Sequence, residues 1–203
     1  LVNTGFASRV FNNMVSSTTG YGLYSNQSSL LKIWHNSFIS DPAMSVMRFV
    51  GSVTMDLVNN HIRNRGSITA RYVLHADNIS TFKTFDFNNY YSTGSYFFIG
   101  TTDYGNLPVL QVAFPLFNQN SYNQDPLFLS TTDLHTSINL TGAYVGIDQD
   151  IDGDFRNTIS PVLGADEVNI SNNAGISRLV SPAPAFCAGS QDVIVKIGNY
   201  GNN

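Results

Sequence analysis

Charged residues are scarce in this sequence, and other features that would point to a class of function are missing. Lys, Arg, Asp and Glu make up 12% of the 203 residues, about half the share that is usual in soluble proteins. The ten Lys and Arg residues are scattered, so no basic cluster suits nucleic acid or an anionic membrane. No stretch approaches the roughly 20 apolar residues that span a bilayer. We therefore expect neither a nucleic-acid partner nor membrane insertion.

Cysteine and helical periodicity are also nearly absent. The single Cys187 excludes an internal disulfide and a cysteine-based metal site; its thiol is either inert or paired with a cysteine beyond Asn203. No window carries a 3.6-residue apolar period long enough to predict a stable helix. Short runs rich in Val, Ile, Tyr and Phe instead lie between turn residues. The sequence therefore predicts an all-β protein.

A short motif centred on asparagine returns four times in the first half of the sequence. The copies are VFNNMV at Val10–Val15, IWHNSF at Ile33–Phe38, LVNNHI at Leu57–Ile62 and DFNNYY at Asp86–Tyr91. If the second polar residue marks each copy, the markers Asn13, Asn36, Asn60 and Asn89 lie 23, 24 and 29 residues apart. Such a period is the sequence sign of a solenoid, in which each coil buries its apolar face against the next.

The four markers are predicted to be structural. Asparagine tolerates the left-handed backbone that a tight corner needs. When coils are stacked, its amide donates and accepts hydrogen bonds along the stack. His35 occupies the polar position before the marker in the second copy, where the other copies have asparagine.

Two columns of side chains flank the corners in this alignment. One column holds Val10, Ile33, Leu57 and Asp86, and the next holds Phe11, Trp34, Val58 and Phe87. Because side chains alternate across a strand, only one column faces the core. If the second column faces outward, Phe11, Trp34 and Phe87 form an aromatic stripe that could hold sugar rings or a partner. The alternative is that the stripe belongs to the core.

Residues 111–168 differ in character and carry four signatures. DPLF begins at Asp125, DLH at Asp133, DIDGDFR at Asp150 and GADE at Gly164. This succession resembles the closing segment of right-handed parallel β-helices in large secreted proteins of Bacteroidota, and the preceding coils resemble the same family's helix body. The resemblance implies a right-handed parallel β-helix over residues 1–168. One departure is Val162-Leu163, where the family often has an Asp-Ile pair.

The remaining residues predict a second module. Residues 169–180 are polar and are interpreted as a linker, and residues 181–203 are similar to the start of an Ig-like β-sandwich, of which only the first strand or two is present. The resemblance implies an extracellular protein of the cell surface, exported by the type IX route and of the gliding-motility adhesin type. Its partners would be other modules of the same long chain, surface glycans or the secretion and motility machinery.

Three aspartates form the candidate metal site. Asp150, Asp152 and Asp154 alternate in a loop that contains glycine, and hard Ca²⁺ takes several oxygen ligands. The alternative is that these carboxylates pair with Arg156 and the backbone to close the last coil. We predict no other cofactor.

Catalysis is the rival function, since parallel β-helices host polysaccharide lyases. Candidate acids and bases are Asp56, Asp86, Lys32, Arg48 and Arg71. They form no cluster in the coil alignment, and we assign no catalytic residue. The leading hypothesis is a non-catalytic structural or display module. The alternatives are a polysaccharide lyase or hydrolase and a carbohydrate-binding β-helix.

Overall fold

The computed structural model describes residues 7–42, 44–66, 71–168, 174–181, 190 and 192–199. Cys187 lies outside the described residues. The chain forms two compact units, Leu1–Val168 and Asn169–Asn203.

The first unit is a parallel β-solenoid of about four turns, as the repeat predicts. Each coil contributes one strand to each of three sheets. Sheet 1 contains β1 (Arg9–Phe11), β4 (Lys32–Trp34), β7 (Met55–Val58) and β10 (Phe82–Asp86). Sheet 2 contains β2 (Met14–Ser17), β5 (Ser37–Ser40), β8 (His61–Asn64) and β11 (Asn89–Ser92). Sheet 3 contains β3 (Leu23–Asn26), β6 (Ser45–Val50), β9 (Tyr72–Ala76) and β12 (Phe97–Ile99).

The corner between sheets 1 and 2 explains the asparagine motif. One residue of every coil turns the chain there with a positive φ, and the four residues are Asn12 (53°), His35 (51°), Asn59 (62°) and Phe87 (53°). Asparagine adopts this left-handed conformation at a lower energy cost than most residues. The next residue of each coil, which starts the turn into sheet 2, stacks on its counterpart in the neighbouring coil.

In the fourth coil, the strand register differs from the sequence alignment by one residue. Phe85 pairs with Leu57, and Asp86 pairs with Val58. Asn88 therefore occupies the stacked position, and the prediction of Asn89 as the fourth marker is wrong. The cause is the strand alternation, which buries Phe85 and turns Asp86 outward.

The core lies between the three sheets and is aliphatic and aromatic. The column that faces it is Val10, Ile33, Leu57 and Phe85. Phe82 and Phe85 stack with ring centroids 4.2 Å apart. The neighbouring column of sheet 1, which contains Phe11 and Trp34, is not part of this core cluster.

Two elements close the far end of the stack. β13 (Thr102–Tyr104) runs antiparallel to β12, and the helix α1 (Leu107–Ala113) follows it. The Asn106 side chain caps α1 by accepting a hydrogen bond from Val109 N at 2.9 Å. The helix has seven residues, too few to show an apolar period in the sequence. A 3₁₀ turn at Ile79–Thr81 is the other helical element of the described residues.

Residues 118–168, which we call the strap, run back along the side of the stack. Tyr122 N donates to Asn88 O in the fourth coil at 2.8 Å. Arg156 donates to the side chain of Asn12 in the first coil at 3.0 Å. The signatures that the sequence analysis interpreted as a closing segment thus lie along the corner between sheets 1 and 2, from the last coil to the first.

The second unit contains an antiparallel pair of strands, β14 (Ala174–Ser181) and β15 (Ile194–Asn199). The polar segment 169–180, which was predicted to be a linker, is a strand from residue 174 onward. The described residues show no more than these two strands here, so an Ig-like β-sandwich stays a prediction.

Candidate functional site

The asparagine ladder consists of Asn13, Asn36, Asn60 and Asn88. Nδ2 of each of the first three members donates to Oδ1 of the next member, at 2.9, 3.0 and 2.9 Å in order. The backbone N of each also donates to the same oxygen. The last three members are fully buried, so these bonds satisfy polar groups that water cannot reach.

The strap supplies the next rung of the ladder. Ser121 Oγ accepts a hydrogen bond from Asn88 N at 3.0 Å and donates to Asn118 Oδ1 at 2.9 Å. Asn89, one residue past the ladder, exchanges two hydrogen bonds of 2.9 Å with the backbone of Gln124. The ladder therefore ends in a hydroxyl rather than in an unsatisfied amide.

Two histidines lie buried beneath the strap. Asn59 Nδ2 lies 2.9 Å from His35 Nε2, and Asn89 Nδ2 lies 3.1 Å from His61 Nδ1. Because the amide nitrogen is a donor, both ring nitrogens are acceptors and both imidazoles are neutral. Burial lowers the pKa of both side chains to about 3, and for His35 the positive charge of Arg156 acts in the same direction.

We expect this pair to make the folded state sensitive to acid. An unfolded histidine titrates near pH 6.5, so below that pH the unfolded state takes up protons that the folded state does not. The free energy of unfolding should therefore fall as the pH drops from about 6.5, by roughly 2–3 kcal/mol per histidine at about pH 4.5. Urea titrations across this range measure the effect.

A matched variant shows whether the acid sensitivity comes from the buried histidines. Replacing His61 by glutamine keeps an acceptor for Asn89 and removes one titrating group. The slope of the free energy of unfolding against pH should then decrease by the equivalent of about one bound proton. A free energy of unfolding that stays constant from about pH 6.5 to about pH 4.5 would contradict the buried neutral state of both rings.

Arg156 anchors the strap to the first coil. Its guanidinium is buried and donates to Glu167 at 3.1 Å, to Gly164 O at 3.0 Å and to Ala165 O at 2.9 Å, in addition to Asn12. Burial lowers the pKa of Arg156 and raises that of Glu167, and their mutual attraction opposes both shifts. Arg156 thus closes the strap, but its carboxylate partner is Glu167 rather than the aspartates of the predicted pairing.

The three predicted calcium ligands are not brought together. Both oxygens of Asp150 accept backbone hydrogen bonds, from residues 152, 154 and 167 at 2.8–2.9 Å. Asp154 is exposed. Asp152 instead groups with His135 and Asp166, and the three potential ligand atoms lie within 4.8 Å of one another.

The predicted aromatic stripe is divided between different surroundings. Phe11 is 41% exposed, whereas Trp34 is 8% exposed. Trp34 and the half-buried Phe87 pack with Val58 and Ile147 in a small cluster separate from the main core. The Lys32 ammonium lies 4.7 Å from the centroid of the Trp34 ring and makes a cation–π contact with it.

A cleft of about 290 Å³ lies beside this cluster, between the outer face of sheet 1 and the strap. Its lining is Trp34, Asp56, Val58, Lys83, Thr84, Phe85, Asp86, Phe87, Leu116, Phe117, Ala143 and Val145. Trp34 Nε1 and Asp56 Oδ1 are buried and have no hydrogen-bond partner in the protein.

The candidate catalytic residues are dispersed, and most of them are held in ion pairs or hydrogen bonds. Arg48 pairs with Asp77 at 2.7 Å, and Arg71 pairs with Asp41 at 3.4 Å. Asp86 accepts hydrogen bonds from Asn120 at 2.8 Å, which fixes the start of the strap. Lys32 and Asp56 are neighbours in sheet 1.

The grouping of His135, Asp152 and Asp166 was not predicted from the sequence. A signal was present, because DLH, DIDGDFR and GADE each supply one member. The spacing between the signatures carries no fixed period, so their convergence follows only from the path of the strap.

No protein-family model, no curated protein and no solved structure matches this chain. Helices in the described part of the chain are too short to cross a membrane.

Proposed function

We propose that this chain is a non-catalytic structural and display module of a large, secreted cell-surface protein. The observation that carries the proposal is the asparagine ladder, which is buried and continues into the strap. Each coil lengthens such a stack by about 4.8 Å. A stack whose corners are bonded to one another and strapped along one side suits a spacer that transmits force.

The resemblance of the four strap signatures supports the location and the partners. It favours export by the type IX route and a role in adhesion or gliding motility. Under this proposal the partners are further modules of the same chain, including an Ig-like module at residues 181–203, and surface glycans or the motility machinery.

Single-molecule pulling on the full chain tests the mechanical role. We expect Arg156→Lys to lower the unfolding force, because lysine cannot bridge Glu167, the strap carbonyls and Asn12 at once. Arg9→Lys is the control, since Arg9 is exposed on the same first coil. Equal unfolding forces for the two variants and the unaltered chain would mean that the strap bears no load.

Incubation with acidic polysaccharides separates this function from that of a lyase or hydrolase. The proposal expects no new reducing ends or unsaturated products above the buffer background. Sustained cleavage that Asp56→Asn or Arg71→Ala abolishes would replace the structural function with an enzymatic one.

A second candidate function is the binding of a sugar residue in the cleft. The unpartnered Trp34 Nε1 and Asp56 Oδ1 support it, because a ligand hydroxyl can accept from the indole and donate to the carboxylate. A glycan array should then show binding that Asp56→Asn and Lys83→Ala weaken. Asp154→Asn is the control, since Asp154 does not line the cleft. Equal binding by all variants would exclude this site.

A further inference from the structure

We propose that His135, Asp152 and Asp166 form a binding site for one divalent transition-metal ion of the Zn²⁺ class. The three residues come from separate segments of the strap, and their potential ligand atoms lie within 4.8 Å of one another. The site differs from the predicted calcium loop in two of its three residues and adds a nitrogen donor. It goes beyond the structural function proposed above.

The distances suit a single small ion. His135 Nε2 lies 2.8 Å from Asp152 Oδ2. Adjacent ligands of one tetrahedral Zn²⁺ ion are about 3.3–3.6 Å apart, given bond lengths of about 2.0–2.2 Å. A small rotation of either side chain opens this contact enough to admit the ion. A carboxylate oxygen of Asp166 completes three protein ligands and leaves a position for water.

The surrounding bonds orient the ligands. His135 Nδ1 is bonded to the Asp133 carboxylate, which turns Nε2 toward Asp152. A carboxylate behind a ligating histidine is the usual outer support of a zinc site. Thr136 N donates to Asp166 Oδ2 at 3.3 Å and so holds the third ligand in place.

Charge favours a cation at this place. Arg156 is the sole Lys or Arg of the strap, against eight Asp and Glu residues, and its partner is Glu167. In the described part of the chain, Asp133, Asp152 and Asp166 have no Lys or Arg partner. An ion bound to three segments of the strap would offset this negative charge and cross-link the segments.

The nitrogen donor decides the class of metal. Ca²⁺ and Mg²⁺ take oxygen ligands, whereas imidazole with carboxylates suits Zn²⁺ and its neighbours. Calcium therefore serves as the comparison ion in the test.

Titration of the metal-free full chain with Zn²⁺, followed by calorimetry, tests the site. We expect one Zn²⁺ per chain. Asp166→Asn should weaken binding more than tenfold, and Asp133→Asn, which removes only the outer support, about tenfold. Asp154→Asn and His75→Ala should bind like the unaltered chain, because neither residue belongs to the group.

A second measurement does not depend on variants that retain the fold. Co²⁺ added to the unaltered chain should give visible absorption bands of a low-symmetry nitrogen–oxygen site, and Zn²⁺ should displace them. In NMR spectra, His135 should be the histidine whose ring signals shift. No binding at about 100 µM Zn²⁺, equal affinity of Asp166→Asn and Asp154→Asn, or preference for Ca²⁺ would each overturn the proposal.

Discussion

Replacing Asn60 by alanine is expected to lower the free energy of unfolding by about 3–6 kcal/mol. The Asn60 side chain is fully buried. Its Nδ2 lies 2.9 Å from each of Ile33 O, Val58 O and Asn88 Oδ1, which share its two hydrogens, and its Oδ1 accepts two bonds of 3.0 Å from Asn36. Alanine would remove all of these side-chain bonds at a fully buried position. Urea unfolding followed by circular dichroism measures the loss, which is a large part of the roughly 5–15 kcal/mol of a typical domain.

Two comparisons show that the amide, rather than its volume, is responsible. Asn13 belongs to the same ladder but is exposed on the first coil, so Asn13→Ala should cost about 1 kcal/mol or less. Asn60→Asp keeps the shape and loses the donors, and it places a carboxylate against two carbonyls. It should cost at least as much as Asn60→Ala. A mild effect of Asn60→Asp would contradict the ladder.

Replacing Gly164 by alanine should strongly damage the contact between the strap and sheet 2. A Cβ at this position would lie 2.4 Å from His61 Cδ2 and 2.9 Å from Ser37 Oγ. Neither neighbour can easily move, since His61 is fully buried and Ser37 accepts a hydrogen bond from Ala165 N. We expect the strap to lift from sheet 2, with a loss of about 3–5 kcal/mol in the same urea assay.

Gly153 provides a control for the backbone. Its φ is +89°, against +88° for Gly164, and no atom lies within 4 Å of its added Cβ. Gly153→Ala should therefore lower the free energy of unfolding only through the strain of the left-handed conformation, by about 1–2 kcal/mol. The difference between the two variants measures the contact between strap and solenoid. Equal losses would indicate that the strap does not pack against His61 as described.

The stacking of coils could be predicted from the sequence because the corner imposes its own chemistry. Asparagine suits both a left-handed turn and a ladder, so it recurs at nearly constant spacing. The misplacement of the ladder by one residue in the fourth coil had a visible warning. The alignment put Asp86 in a column with Val10, Ile33 and Leu57, whereas Phe85 belongs there and Asp86 points outward.

The strap could not be placed from the sequence because its contacts follow no period. Arg156 reaches Asn12 across 144 positions, and Ala165 reaches Ser37 across 128. For the same reason the surroundings of Trp34 were not predictable. It faces away from the solenoid core, yet it is 8% exposed because Ile147 and other strap residues cover it.

Side-chain hydrogen exchange, followed by NMR, measures whether the asparagine ladder is buried and hydrogen-bonded in solution. Buried hydrogen-bonded groups exchange only when the surrounding structure opens. We expect the side-chain amide protons of Asn36, Asn60 and Asn88 to exchange as slowly as the core backbone amides, and those of the exposed Asn13 to exchange rapidly. Exchange of Asn60 at the rate of Asn13 would show that the coils are not joined by a buried ladder.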